Sequence, residues 1–225
     1  MSFNNLWYTI YMKIDNFFDK LHNTRKKFLK DNSNLDHVIL SGENNILISA
    51  PHGVSQVRLG RLKFKEIGSI TTALYLYNNT DCYLIAKTKN NNDDANFDNI
   101  SRYKNSIKDL IKNNNIKYII DIHGLSDKRE FDINLGTHLG KNIEINPAVF
   151  NILQSDLKEN GFSVSIDQPF MAGSNTISGS LKNEFQYIWT LQVEINSRIT
   201  NKKENFIRYS LLLDLLINWI KFIGA

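Results

Sequence analysis

Residues 45–53 of the chain read NILISAPHG, and residues 117–124 read KYIIDIHG. Each segment is a short apolar run of the kind found in a buried strand, and each ends in His-Gly, at His52 and at His123. In a parallel α/β sheet, ligand sites form at the carboxyl ends of the strands. Two of the chain's five histidines are therefore expected at one edge of a sheet, where a nearby carboxylate would complete a metal site.

The rest of the chain alternates between strand-like and helix-like segments. Apolar runs predict strands over Asn45–Ala50, Cys82–Ala86, Ile116–Ile122, Phe131–Leu135, Phe162–Ile166 and Trp189–Ile195. Apolar spacings of three and four predict helices over Lys63–Tyr77, Asn99–Asn113, Pro147–Glu159 and Glu204–Ile223. This alternation predicts an α/β fold, a mostly parallel mixed sheet flanked by helices.

The N-terminal segment differs from this pattern. Apolar positions between Leu6 and Leu29 predict an amphipathic helix. We expect residues 1–35 to form a helical extension packed on the core of one domain that spans residues 1–225. A helix that binds a partner is the alternative.

Composition limits the classes of function. The net charge of +4 comes from dispersed lysines without interleaved aromatic residues, which does not favour nucleic-acid binding but suits an anionic substrate. Cys82 is the only cysteine, so an intramolecular disulfide is impossible, as expected in the cytoplasm. No apolar stretch reaches the roughly 18 residues of a membrane span, and Asp15 and Asp19 interrupt the N-terminal region too early for a signal peptide. We therefore expect a cytoplasmic protein without membrane or nucleic-acid partners; the oligomeric state is not indicated.

A third metal ligand is available between the two histidines. A catalytic zinc normally has three protein ligands and one open position. Glu66 lies fourteen residues after His52, early in the predicted helix, and completes a set of two histidines and one glutamate with His123. The glycine after each histidine would let the backbone turn sharply, and Asp121 would orient His123. Histidines that only form structural hydrogen bonds are the alternative.

The last predicted strand adds an acidic residue. In the run QVEIN, residues 192–196, the side chain of Glu194 lies on the same side as those of Gln192 and Asn196. A carboxylate in a buried strand is costly unless it has a partner or a role. The role in a zinc hydrolase would be that of general base; the alternative is a salt bridge to Arg198 or a lysine.

Taken in order, these motifs resemble those of the N-formylglutamate amidohydrolase family, which is similar in fold to the zinc carboxypeptidases and aspartoacylases. The motifs are SAPHG at 49–53, Arg58, Lys63-x-x-Glu66, Asp94-x-Asn96, DIHG at 121–124 and QVEIN at 192–196. The resemblance spans roughly residues 46–198. It implies zinc bound by His52, Glu66 and His123, Glu194 as catalytic acid and base, and cleavage of an amide next to a carboxylate.

A substrate carboxylate would need a cationic partner, and the planar fork of arginine matches it best. Arg58, which lies between two proposed ligands, is the first candidate, and Arg198, just after the last strand, is the second; Arg61 and Arg102 are further candidates. Any of them can instead pair with a surface acid.

Two more residues are candidates for contact with the substrate. Asn96 resembles a position in related enzymes that helps to hold the substrate, and a solvated loop is its alternative. His138 follows the fourth predicted strand and is expected to line the site.

The sequence thus predicts a zinc-dependent amidohydrolase that acts on a linear amide, either an N-formyl or N-acyl amino acid or a similar compound. A metallopeptidase acting on peptide ends or glutamyl polymers would use the same metal set. A non-catalytic, metal-stabilised binding module, with the N-terminal helix as its docking element, is the third possibility. Glu194 distinguishes the binding module from the two hydrolases, because only a hydrolase needs an acid at this position.

Overall fold

The computed structural model describes residues 34–201 and 203–225, together with residues 19, 23, 25, 26 and 28–30. Its strands are β1 (His37–Leu40), β2 (Ile46–Ala50), β3 (Gln56–Arg58), β4 (Arg61–Lys63), β5 (Tyr83–Lys87), β6 (Tyr118–Leu125), β7 (Ile133–Gly136), β8 (Val164–Ile166) and β9 (Trp189–Asn196). The helix predicted over Leu6–Leu29, and with it most of the extension over residues 1–35, falls outside the described residues.

Helices connect most of these strands. They are α1 (Ile67–Asn78), α2 (Arg102–Asn113), α3 (Pro147–Glu159), α4 (Ile177–Glu184), α5 (Ser197–Thr200) and α6 (Phe206–Gly224), with 3₁₀ turns at Lys141–Ile143 and Lys203–Asn205. None of the helices in the described ranges combines the length and the apolar character that crossing a membrane requires.

Seven strands form one sheet in the order β1-β5-β2-β6-β9-β7-β8. The pairs β5-β2, β2-β6, β6-β9 and β7-β8 are parallel, whereas β1-β5 and β7-β9 are antiparallel. The prediction of a mostly parallel mixed sheet is confirmed. Strands β3 and β4 form a separate two-stranded ribbon, which the sequence analysis did not predict.

Helices cover both faces of the sheet, because the central strands are apolar on both sides. On β2, Ile46 and Ile48 belong to a core cluster that also contains buried side chains of α1, α3 and α6. Leu47, which points to the opposite face, belongs to a second cluster with side chains of α2 and α4. Burial on both faces fixes β2, β6 and β9 at the centre, so their carboxyl ends lie side by side at one edge.

One segment boundary differs from the prediction in a way that matters for the site. Helix α1 begins at Ile67 rather than at Lys63, because residues 61–63 pair with β3 as β4. Glu66 therefore lies directly before the helix instead of in its first turns, and its backbone N–H donates to the carbonyl oxygen of His52 at 2.9 Å.

A buried ion-pair cluster fastens the loop after β5 to the sheet. Lys87, fully buried at the end of β5, donates from Nζ to Asp36 at 3.1 Å and to Asp93 at 2.5 Å. His37 Nδ1 lies 2.6 Å from the Asp36 carboxylate. Burial alone would raise the pKa of Asp36, but His37 and Lys87 hold it below its ordinary value. Since Asp93 precedes Asp94, this cluster also fixes the backbone of a residue in the candidate site.

We predict that Lys87→Met lowers the free energy of unfolding by about 3–5 kcal/mol, because the buried Asp36 and Asp93 carboxylates lose their cation. Urea denaturation measures the change. Lys117→Met, at an exposed lysine, is the matched control, with an expected change within about 0.5 kcal/mol. Equal effects of the two substitutions would contradict a structural role for the cluster.

Candidate metal centre and active site

The structure brings the three proposed metal ligands together. His52 follows the end of β2, His123 lies near the end of the adjacent parallel strand β6, and Glu66 precedes α1. One ligand atom from each of them can be chosen such that all three lie within 4.8 Å of one another. Both histidines are buried, and Glu66 is partly exposed, so the cluster opens to solvent on the side of the carboxylate.

The inner nitrogen atoms of the two imidazoles face each other beside this carboxylate. Nδ1 of His52 lies 3.2 Å from Nδ1 of His123 and 2.8 Å from Oε1 of Glu66. Nδ1 of His123 lies 3.4 Å from Oε2 of Glu66. The same Oε2 accepts a hydrogen bond from the backbone N–H of Gly124 at 2.8 Å, which holds the carboxylate in place.

A buried carboxylate holds the outer nitrogen of each histidine. Nε2 of His52 lies 2.9 Å from Asp94, and Nε2 of His123 lies 3.1 Å from Asp121. A neutral imidazole has one N–H, and when that N–H is donated outward the inner Nδ1 presents a lone pair. Carboxylates in this position orient metal-binding histidines and raise their basicity.

These donors fit a zinc ion. Tetrahedral zinc with Zn–N bonds of ~2.0–2.1 Å places two nitrogen ligands about 3.3 Å apart, and the two Nδ1 atoms lie 3.2 Å apart. Two imidazole nitrogens and one carboxylate form a frequent protein ligand set of catalytic zinc, which leaves one position open. The residues present therefore suit zinc, with His52, Glu66 and His123 as ligands.

Electrostatics also favour a cation among these residues. Burial lowers the pKa of His52, but Glu66 and Asp94 outweigh it and raise that pKa. The pKa of His123 is raised well above its ordinary value, because Asp121 and Glu66 outweigh burial. The pKa of Glu66 is lowered, because the two histidines outweigh burial. The surrounding carboxylates thus attract positive charge to the centre, which either protons or a metal ion can supply.

Glu194 lies beside the proposed metal ligands. In the β6–β9 ladder it is paired with His123, and Oε1 of its buried carboxylate accepts a hydrogen bond from Gln192 Nε2 at 2.9 Å. Burial is the largest cause that raises the pKa of Glu194 to about 7. A carboxyl group with this pKa can both accept and donate a proton near neutral pH.

A cavity of about 500 Å³ opens over this cluster. Its floor contains the three ligands and Glu194, and one wall is the mostly apolar and small-residue segment from Pro169 to Thr176. Arg58, Lys63 and Phe97 also line the cavity. The cavity therefore joins the metal cluster, an acidic side chain and two cations in one space.

Arg58, the first candidate for contact with a substrate carboxylate, lines the cavity. Its Nε and Nη2 both lie 2.8 Å from Oδ2 of Asp94, and its guanidinium stacks 4.8 Å above the ring centre of Phe97. Lys63 Nζ lies 3.7 Å from the same oxygen. Burial would raise the pKa of Asp94, but His52, Arg58 and Lys63 hold it well below its ordinary value. One carboxylate thus connects a metal ligand to both cations of the cavity.

Asn96 also lines the cavity, and the structure shows how it is held. Its side-chain Oδ1 accepts a hydrogen bond at 2.8 Å from the backbone N–H of Ile177, the first residue of α4. Its own backbone N–H donates to Asp94 Oδ1 at 3.1 Å. Asn96 therefore links the loop that carries Asp94 to the helix that follows the Pro169–Thr176 segment.

Arg198 is not brought to the cavity. Its guanidinium donates to the buried Asp132 at 2.9 Å and to the backbone carbonyls of Arg129 and Glu130 at 2.9 and 2.8 Å. Arg208 binds the other oxygen of Asp132 at 2.6 Å. The backbone N–H of Ser163 and both arginines keep the pKa of Asp132 at about 2, against the effect of burial. Arg198 thus fastens the segment before β7, and this contact replaces the expected one with substrate.

His138 does not line the cavity either. His138 was expected in the site because it follows a predicted strand, whose carboxyl end would lie beside those of the other strands. However, β7 is antiparallel to β9, and its last residue Gly136 pairs with Gln192. The chain therefore leaves β7 toward the amino end of β9. The backbone N–H of His138 donates to the carbonyl of Met171, a residue of the cavity wall, so the His138 backbone helps to hold this wall.

The glycines after the histidines have a different role from the expected sharp turn. Neither has a positive φ, and Gly124 lies inside β6. A Cβ atom on Gly124 would lie 3.0 Å from Cβ of Glu66, and one on Gly53 would lie 2.8 Å from Ile70 and from the carbonyl of Lys87. Both glycines provide space for close packing around the ligands.

Sequence reasoning named Asp94 only as part of a motif and missed its central position. The adjacent acids Asp93 and Asp94 bind different partners: Asp93 binds the buried Lys87, and Asp94 binds His52 and Arg58. Two neighbouring carboxylates in a loop that follows a strand were the available signal.

Comparisons with known proteins agree with this fold. No family model matches the chain, and no curated protein matches its sequence. An N-formylglutamate amidohydrolase from Ralstonia eutropha JMP134 superposes with a TM-score of 0.62 at 11% identity, over 83% of this chain and 98% of that chain. A metallo-carboxypeptidase from Burkholderia cenocepacia gives 0.52 at 9% identity, over 83% and 61%. A zinc-free structure of a protein named YNDL gives 0.51 at 17% identity, over 86% and 94%.

The chain therefore shares its fold with the structures of an N-formylglutamate amidohydrolase and a metallo-carboxypeptidase. The resemblance in fold that the ordered motifs implied is confirmed. At these identities the likeness establishes the fold, and the chemistry must be argued from the residues of the site.

We predict that Gly124→Ala weakens metal binding about tenfold or more while the protein stays folded. The added Cβ would meet Glu66, whose carboxylate must then move by a few tenths of an ångström, and losses of 10- to 100-fold are typical when the support of a ligand is disturbed. Competition with a chromogenic chelator measures the affinity, and circular dichroism monitors the fold. Unchanged affinity would show that the Gly124–Glu66 contact does not position the ligand.

Proposed function

We propose that this protein is a zinc-dependent amidohydrolase that cleaves an amide next to a carboxylate, such as an N-formyl or N-acyl amino acid. The observation that carries the proposal is the convergence of the Nδ1 atoms of His52 and His123 with the Glu66 carboxylate, next to the buried acid Glu194. The fold shared with an N-formylglutamate amidohydrolase and a metallo-carboxypeptidase supports it.

Glu194 has the central chemical role in this proposal. When bound, zinc at His52, Glu66 and His123 would act as a Lewis acid toward the scissile carbonyl. Glu194 takes the proton from the attacking water and passes it to the departing amine. Its pKa of about 7 suits both transfers, and its bond to Gln192 orients the carboxylate.

Arg58 and Lys63 supply the charge complementary to a substrate carboxylate. Both line the cavity, and both are partly exposed on its side. Asp94 binds Arg58 through Nε and Nη2, so the guanidinium is held in a fixed orientation before substrate arrives. We assign Arg58 the binding of the substrate carboxylate and stabilisation of the developing oxyanion.

A metallopeptidase acting on peptide ends or glutamyl polymers is the second candidate. The size of the cavity favours it, since 500 Å³ lies within the range of ~300–1,000 Å³ for sites that hold drug-sized ligands. A hydrolysis screen of N-acyl amino acids against short acidic peptides, with and without chelator, separates the two candidates. Chelator-sensitive cleavage of only the peptides would favour the peptidase.

The position of Glu194 argues against a binding module without catalysis. Burying a carboxylic acid beside two metal-binding histidines, without an ion pair to an arginine or lysine among the described residues, has a cost that simple metal binding does not require. The alternative from the sequence analysis was a salt bridge from Glu194 to Arg198 or a lysine; Arg198 instead pairs with Asp132, which supports the catalytic role for Glu194. We further propose a cytoplasmic location, in keeping with the single Cys82, which is buried as a free thiol.

We predict that the purified protein binds close to one zinc ion per chain and that His123→Ala loses it. Removing one of three ligands leaves too few donors for tight binding. His138→Ala is the matched control, because this histidine lies outside the cavity, and it should keep its zinc. Elemental analysis after dialysis against a weak chelator gives the stoichiometry. Equal zinc content in the two variants would place the metal elsewhere.

We predict that Glu194→Gln keeps zinc but lowers kcat about 10²- to 10⁴-fold, the usual contribution of a general base. In the wild type, kcat/KM should rise with pH until Glu194 has lost its proton. Because the pKa of Glu194 is about 7 without metal and a nearby cation lowers it, the midpoint is expected at or below pH 7. Initial rates across this pH range measure the profile. A zinc-loaded Gln variant with full turnover would remove Glu194 from the mechanism.

A further inference from the structure

The ribbon formed by β3 and β4 has two faces of different chemistry. Cross-strand pairing places Gln56 opposite Lys63 and Arg58 opposite Arg61, while Val57 pairs with Leu62. Because directly paired residues project to the same side of a ribbon and neighbours along a strand alternate, one face is polar and the other apolar.

The polar face is directed to the active-site cavity. Arg58 and Lys63 line this cavity and both approach Asp94. Val57, Leu62 and the turn residue Leu59 do not line it. The apolar face of the ribbon is therefore directed away from the cavity that the polar face lines.

Three large apolar side chains are exposed on this ribbon within six residues. Leu59 and Phe64 are each 82% exposed, and Leu62 is 59% exposed. Single exposed apolar residues are ordinary on protein surfaces, but a contiguous group marks a contact site. A two-stranded ribbon also has little stability of its own, which makes an uncovered apolar face on it more unusual.

The turn of the ribbon contains an unfavourable residue. Leu59 and Gly60 connect the strands, and both have positive φ, 51° and 73°. Two-residue turns with positive φ at both positions prefer Asn-Gly, because a residue with a bulky side chain is strained there. A leucine at the tip thus lowers the local stability of the turn and exposes an apolar side chain. This combination indicates that Leu59 contacts a partner.

The charge of the ribbon selects the kind of partner. Residues 54–65 contain Arg58, Arg61, Lys63 and Lys65 and no acidic residue. Arg58 and Lys63 approach Asp94, whereas Arg61 and Lys65 on the same polar face are exposed and are the sequence neighbours of Leu62 and Phe64. Two copies of the ribbon in contact would bring the exposed cations of both copies near one another without an acidic residue of the ribbon to pair with them, which disfavours a dimer through this surface. The complementary partner is anionic and can accept a protruding apolar tip.

We propose that this ribbon is a peripheral membrane contact: Leu59, Leu62 and Phe64 insert into an anionic phospholipid bilayer, and Arg61 and Lys65 bind its phosphates. Apolar insertion combined with a few basic residues is the usual basis of binding at the bilayer surface. A bilayer receives a convex apolar tip without a preformed pocket. The contact would hold the cavity mouth near the membrane surface.

This proposal differs from the expectation of no membrane partner. That expectation rested on the lack of a long apolar stretch, which excludes a spanning helix but not a surface contact. The apolar residues of a hairpin tip are too few and too widely spaced to appear in a search for membrane spans.

Sedimentation with vesicles tests the proposal. The full chain is mixed with vesicles of phosphatidylcholine alone or of phosphatidylcholine with phosphatidylglycerol. We expect binding to the anionic vesicles, little binding to the neutral ones, and weaker binding as salt is added. Leu59→Asn combined with Phe64→Asn should lower the partition coefficient at least about tenfold, since each buried apolar side chain contributes about one order of magnitude.

The variants are chosen so that misfolding cannot explain the result. Leu59→Asn creates the preferred Asn-Gly turn, so it should leave the fold intact, and by itself it should already reduce binding. Ile100→Asn is the matched control, because Ile100 is 89% exposed but lies outside the ribbon; its binding should equal that of the wild type. No binding of the wild type to anionic vesicles, or equal binding by the Leu59 and Ile100 variants, would overturn the proposal. Dimerisation of the wild type that Phe64→Asn abolishes would assign the surface to a second copy instead.

Discussion

The hydrogen bonds from the outer nitrogens of His52 and His123 to Asp94 and Asp121 are the constraint on which the site depends. They direct both Nδ1 atoms toward the Glu66 carboxylate and determine which nitrogen presents a lone pair. Ser49 and Tyr103 extend this arrangement into the core: Ser49 donates to Asp121 at 2.7 Å and lies 3.1 Å from the Tyr103 hydroxyl. The two histidine ligands are thus held by buried carboxylates, and these carboxylates are themselves hydrogen-bonded.

Asp94 connects most of the functional parts of the molecule. It binds His52, anchors Arg58, and accepts the backbone N–H of Asn96, while its neighbour Asp93 is fastened to the sheet by Lys87. A single loop therefore couples the geometry of the metal ligands to that of the cation assigned to substrate. The ribbon beside the cavity shares this anchor, so one carboxylate links the centre, the cavity wall and the proposed membrane contact.

The sequence contained enough information for the fold class, for the convergence of His52, Glu66 and His123, and for Glu194 beside them. These residues follow from strand ends in a parallel sheet, which short apolar runs indicate reliably. Strand direction was not readable for β7, a short strand that pairs antiparallel with β9, and this is why His138 was expected in the cavity. Arg198 was misplaced because its partner Asp132 is distant in sequence, and the ribbon was missed because three-residue strands carry too little pattern.

Nitrogen-15 NMR of the histidine side chains, recorded with and without zinc, tests the central claim most directly. We predict that His52 and His123 bind zinc through Nδ1, that each keeps a proton on Nε2, and that His138 is unaffected. This pattern follows from the positions of Asp94 and Asp121 and is independent of the substrate. Coordination through Nε2, or unchanged signals of His52 and His123 when zinc is added, would contradict the account.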